Sequence, residues 1–130
     1  MSVNSRDKEY LPEVAKMYAD LGFDLLATRG TAEFLREQGL AVQGVLKVYE
    51  GRPNIVDFII NNEVALVINT PSGKKTAKDS TAIRRTALTY GVPYCTTLAA
   101  AKATATAIAS RRDEIQVESL QEYYAREGGK

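Results

Sequence analysis

Histidine and tryptophan are both absent from this 130-residue sequence, and cysteine occurs once. Histidine titrates nearest neutrality and is a common metal ligand, so acid–base and zinc chemistry lose their usual carrier, while carboxylate or lysine catalysis stays open. A lone Cys95 cannot close an internal disulfide, and its neighbours Val92 and Tyr94 suit a small apolar core filler better than a reactive thiol. No apolar run approaches the roughly 18 residues that suggest a membrane-spanning helix, and the N-terminus lacks the basic-then-apolar order of a secretory signal. Seventeen basic and sixteen acidic residues leave a formal charge of +1, too little for an overall field that draws the chain to nucleic acid or to an anionic membrane. A cytoplasmic chain without nucleic-acid or membrane partners is the expectation. Any anion site must be local.

With 45% apolar and 25% charged residues, the composition is that of one globular domain with a single core, here residues 1–130 without a linker. Strand-like and helix-like segments alternate along it. Leu11, Val14, Ala15, Tyr18 and Leu21 recur at helical spacing, with Asp7 a candidate cap, Pro12 in the first turn and Gly22 a stop. Phe23 to Ala27 reads as a strand, followed by a turn through Thr28, Arg29, Gly30 and Thr31 and a helix that stops at Gly39. Val42 to Val48 is a third strand after a short one at Ser2 and Val3, and Asn54 caps a helix carrying Ile55 to Ile60. Val64 to Ile68 is a nearly unbroken apolar run, as expected of a strand covered on both faces. After a polar loop from Asn69 to Lys75, Asp79 or Ser80 caps the next helix, Tyr94 to Thr96 forms a last strand, and Leu98 to Ala109 is an alanine-rich helix. Ser119 with Glu122 opens a final short helix in a capping box, where Tyr123 and Tyr124 can pack the tail onto the body. The order predicts an α/β fold: a mainly parallel sheet with helices on both faces. Ligands of such sheets bind beyond the carboxyl ends of the strands.

Thr28, Gly30 and Thr31 combine two hydroxyls with backbone N–H groups at a helix start, where dipole and orphan donors favour a phosphate or carboxylate. Taken locally, plain capping is the more ordinary role of both threonines. Lys8 and Lys47 can bring ammonium groups to the same anion, or be a solvated lysine and a strand-end lysine lying along the sheet. Asn69 can read a ribose or a base edge through its amide, or simply form a turn. Ser72 to Lys75 lacks the spacing of a phosphate-binding P-loop, which excludes an ATPase of that type. Arg84 and Arg85 read as charges facing solvent or a partner.

Four ordered blocks, Thr28–Thr31, Lys47–Pro53, Ile68–Gly73 and Ile83–Ala87, resemble the C-terminal regulatory domain of the carbamoyl phosphate synthetase large subunit. That domain belongs to the methylglyoxal-synthase-like superfamily, and the resemblance covers nearly all of residues 2–125. It implies a three-layer, five-stranded sheet in flavodoxin-like order, and a regulatory domain excised from a longer chain. The brevity of the strand at Ser2 and Val3 agrees with a polypeptide that continues upstream. It further implies a nucleotide effector, UMP or IMP. By position the phosphate falls to Thr28, Gly30 and Thr31, the pocket lysines are Lys8 and Lys47, Asn69 and Thr70 read the nucleoside, and Ser2 closes strand one. No catalytic residue, metal or cofactor is expected within the domain. The parent enzyme would use ATP and magnesium, and the partners would be the remainder of the large subunit and the glutaminase small subunit. Pro71 stands where some bacterial members carry a second hydroxyl, which bears on the nucleoside end and not on the phosphate end. The enzymatic alternative is a triose-phosphate lyase of the methylglyoxal synthase kind, whose aspartate and histidine are replaced here by Asn69-Thr70-Pro71 and by nothing.

Overall fold

Branched and apolar residues alternating with helical stripes place five parallel strands between two helical layers. The computed structural model describes residues 1–70 and 77–112. The readings at Pro71 to Lys75 and from Asp113 onward lie outside them. The strands are β1 (Ser2–Val3), β2 (Leu25–Thr28), β3 (Val42–Val45), β4 (Val67–Thr70) and β5 (Tyr94–Cys95). The helices are α1 (Leu11–Asp20), α2 (Arg29–Glu37), α3 (Ile55–Ile60), α4 (Ala77–Thr89) and α5 (98–112), with a 3-10 turn at Lys8–Tyr10 before α1.

Parallel pairing joins β2 to β3, β1 to β4 and β4 to β5. Met1 closes the gap between the two sets, its amino group donating to the Leu26 carbonyl at 2.6 Å and its carbonyl accepting from Thr28 N–H at 3.2 Å. The spatial order is therefore β3-β2-β1-β4-β5. This corrects the flavodoxin-like order 2-1-3-4-5, because β1 pairs with β4 and leaves β3 at an edge. Right-handed crossovers explain the layers, since reversing the direction of travel across a sheet moves the connecting helix to its other face.

Two apolar clusters occupy those faces. Leu11, Val14, Ala15 and Tyr18 of α1, Ala32 and Leu35 of α2, and Ala101 and Ala105 of α5 pack on Val3, Leu25, Ala27, Ile68 and Cys95. Ile55 and Ile59 of α3 and Ile83 and Ala87 of α4 pack on Val45 and Val67. Cys95 is buried, and the alanines let α5 approach the sheet closely. Tyr18, 2% exposed, donates its hydroxyl to the Ala101 carbonyl at 2.6 Å and ties α1 to α5.

Several expected boundaries shift. Asp7 precedes the 3-10 turn without a side-chain cap bond, while Pro12 does occupy the first turn of α1. Gly22 takes a φ of +92°, the left-handed stop that glycine adopts most easily. The third strand ends at Val45, because Leu46 turns to bridge Asn54. The fourth runs to Thr70 and starts only at Val67, since pairing with β1 aligns Ser2 with Asn69 and Val3 with Thr70. Helix α4 begins at Ala77, so Asp79 and Ser80 lie inside it and do not cap it; Ala77 and Lys78 are themselves good helix formers. Asn54 is the cap predicted for α3, accepting from Val56 N–H at 3.0 Å while Asp57 accepts from Asn54 N–H at 2.8 Å. Among the described residues no helix is long and apolar enough to cross a membrane.

Candidate functional site

Strand order changes direction between β1 and β4, so the connections that leave their paired carboxyl ends part to opposite faces of the sheet and open a crevice. A cavity of about 150 Å³ lies there, and Ser2, Lys8, Thr28, Gly30, Thr31, Lys47, Asn69 and Thr70 all line it. The sheet register brings them together. Ser2 is paired with Asn69 across β1 and β4, and Thr28 ends the adjacent β2. Asn69 and Thr70 are strand residues, each 4% exposed; this corrects the expectation of a loop and a turn former.

Thr28 occupies the N-cap position of α2 with extended backbone but makes no side-chain cap bond. Its hydroxyl lies 3.5 Å from Ser2 Oγ. Thr31 Oγ1 accepts from Val3 N–H at 3.4 Å and Thr70 Oγ1 from Asn4 N–H at 2.9 Å, so both hydroxyls stitch β1 to its neighbours. With no described side chain capping α2, its first-turn N–H groups are candidate donors beside the cavity.

Lys8 stands over the same turn. A Cβ built on Gly30 would lie 3.4 Å from Lys8 Nζ, so the ammonium sits against the helix start. A cation there opposes the positive end of the helix dipole, and an anion between the two removes the conflict. Lys47 approaches from the turn after β3, where Glu50 accepts from its backbone N–H at 2.7 Å. Neither lysine forms an ion pair among the described residues, whose two salt bridges are Arg52–Asp57 and Lys102–Glu13. The described lining contains no acidic residue. It offers two ammonium groups, helix N–H donors and hydroxyls, the donor set of a phosphate site.

Sequence reasoning overlooked Asn4, Ser5, Val48, Ser80 and Ile83 in the lining. Asn4 and Ser5 directly follow β1, and carrying the strand-end rule to β1 finds them. Val48 and Ile83 supply an apolar wall that only the packing of α4 against the β3–α3 loop creates. A smaller void of about 70 Å³ between Leu25, Leu26, Leu66 and Val67 is mostly apolar and lacks this donor set.

The parallel sheet between two helical layers, with a crevice at the switch in strand order, defines a three-layer α/β domain. The family model of the MGS-like domain matches residues 10–96, and the chain belongs to that family. It is 49% identical over 130 residues to the carbamoyl phosphate synthase large chain, C-terminal section, of Aquifex aeolicus, covering 95% of this chain and 24% of that one. The large chain of Acidobacterium capsulatum is 50% identical over 125 residues, which cover 95% of this chain and 11% of that protein. The C-terminal section from Methanopyrus kandleri is 54% identical over 109 residues, 83% of this chain and 20% of that section. The chain thus spans a quarter or less of these curated relatives. Among solved structures, methylglyoxal synthase from Elizabethkingia anophelis superposes with a TM-score of 0.66 at 18% identity, covering 80% of this chain and 73% of that one. That likeness concerns the fold alone.

Proposed function

We propose that this chain is the effector-binding domain of a carbamoyl phosphate synthetase large subunit and that the crevice holds a nucleoside monophosphate such as UMP or IMP. One observation carries the reading: Lys8 Nζ is held against the uncapped start of α2, with Lys47 on the same cavity and no acidic side chain in its described lining. A half-buried ammonium beside the positive end of a helix dipole is disfavoured by about 0.3–1 kcal/mol, and an anion between the two offsets it. Thr28, Gly30 and Thr31 hold the phosphate, Lys8 and Lys47 neutralise it, and Ser2, Asn69 and Thr70 face the nucleoside. Regulation then consists of a difference in ligand affinity between two arrangements of this domain on the remainder of the synthetase. That remainder, with its ATP and magnesium, and the glutaminase small subunit are the proposed partners.

Calorimetry of the folded chain with UMP, IMP and inorganic phosphate tests the proposal. Lys47→Ala weakens UMP and inorganic phosphate but leaves uridine unchanged; equal losses for UMP and uridine, or no binding of either nucleotide by the wild type, refute the assignment. Turnover of dihydroxyacetone phosphate would instead establish the lyase alternative.

A further inference from the structure

We infer that Tyr94 is a positioning residue of this cavity: its hydroxyl fixes the Asn69 amide so that Oδ1 is the end left for a ligand, which must carry a hydrogen-bond donor beside its anionic group. The inference rests on the anion-binding reading and adds to it a residue outside the cavity lining and a demand on the ligand.

β4 and β5 run parallel with Val67 opposite Tyr94. Side chains two apart on a strand share a face, so Val67, Asn69 and Tyr94 all lie on the face covered by α3 and α4. The Tyr94 ring packs with that apolar cluster, and Asn69 Nδ2 donates to Tyr94 Oη at 2.8 Å. Asn69 is 4% exposed and its side chain makes no other hydrogen bond among the described residues. One of its two amide N–H groups is thus engaged, and its oxygen is a buried acceptor that no described residue satisfies, a costly state that a ligand donor relieves. The oxygens of a dianionic phosphate ester only accept, so that donor comes from another part of the ligand. The site is therefore polarised, with the anionic end at Lys8 and Gly30 and a hydroxyl or N–H of the same ligand at Asn69. Without the phenol, the amide is free to turn end for end, presenting its NH₂ group and erasing the preference.

The experiment is calorimetry with UMP and inorganic phosphate on the wild type, Tyr94→Phe, Asn69→Ala and the double variant. Phenylalanine keeps the ring in the apolar cluster. Tyr94→Phe should weaken UMP by about fivefold, the worth of one neutral hydrogen bond, with inorganic phosphate unchanged, and should add nothing in the Asn69→Ala background. On the wild type, either 3-methyl-UMP or 2′,3′-dideoxy-UMP should bind more weakly than UMP, a comparison that holds even where the tyrosine variant fails to fold. Equal weakening of phosphate, a persisting effect in the double background, a silent Tyr94→Phe, or full affinity for both analogues overturns the role of Tyr94 and Asn69. A wild type that binds neither UMP nor IMP fails earlier, taking the anion-binding reading and this inference together.

Discussion

Replacing Asn54 by alanine should unfasten the loop that brings Lys47 and Val48 to the cavity. Asn54 is 6% exposed and makes three side-chain bonds: Oδ1 accepts from Val56 N–H at 3.0 Å, and Nδ2 donates to the Gly51 and Val48 carbonyls at 3.0 and 3.4 Å. Loss of the N-cap acceptor costs about 1 kcal/mol. Gly51 is exposed and Val48 half-buried, so water can reach the released carbonyls, and each adds about 0.5 kcal/mol rather than a full desolvation penalty. A destabilisation of about 2 kcal/mol follows, read in urea as a midpoint lowered by about 1–2 M with an unchanged slope. Asn54→Asp keeps the cap acceptor and sacrifices only the donations, so it should fall between wild type and alanine. A loss below about 0.5 kcal/mol for Asn54→Ala, too small for a buried cap, or equal losses for the two variants, would refute this account of the loop.

Asp57 is held below the usual aspartate range by the Arg52 guanidinium, 2.6 Å away, and then by the Asn54 backbone N–H. Its contribution is present above the ordinary value of 3.8 and disappears as pH falls through the lower folded value; the stability gap between wild type and Asp57→Asn should therefore close on acidification, as urea melts at several pH values would record. Burial, above all, pushes the Tyr18 phenol from 10.0 up to about 12. The folded state then keeps a proton that the unfolded state releases, so wild-type stability should fall from pH 10 toward 12. Tyr18→Phe should abolish that alkaline limb in thermal melts and cost about 1 kcal/mol near neutrality for the lost bond to Ala101. Gly30 lies in α2 without a left-handed φ, and its nearest neighbour is Lys8 Nζ. Gly30→Ala should raise the melting temperature, by up to about 1 kcal/mol of helix propensity, yet weaken phosphate by crowding the ammonium; unchanged affinity would separate Lys8 from the site.

The elements were largely legible because their periods are local properties of the chain. Ile55 to Ile60 after Asn54 became α3 as read, and the alanine-rich segment became α5, which runs on past Ala109 to residue 112. Boundaries erred where a neighbouring strand decided them. Asn69 and Thr70 look like turn residues until β1 pairs with them, and Lys47 looks like a strand residue until Leu46 turns to meet Asn54. The choice between cap and ligand at Thr28 was likewise undecidable locally, since hydroxyl direction depends on Ser2, 26 positions away.

Composition and spacing by themselves determined the α/β class, the absence of histidine chemistry and a set of polar residues at the ends of strands, because residue type and short-range periodicity carry that information. Only the tertiary structure decided that β1 lies between β2 and β4, that Lys8 stands against Gly30, and that Tyr94 holds Asn69. Those are contacts between segments distant in sequence, set by strand order and by the packing of two helical layers.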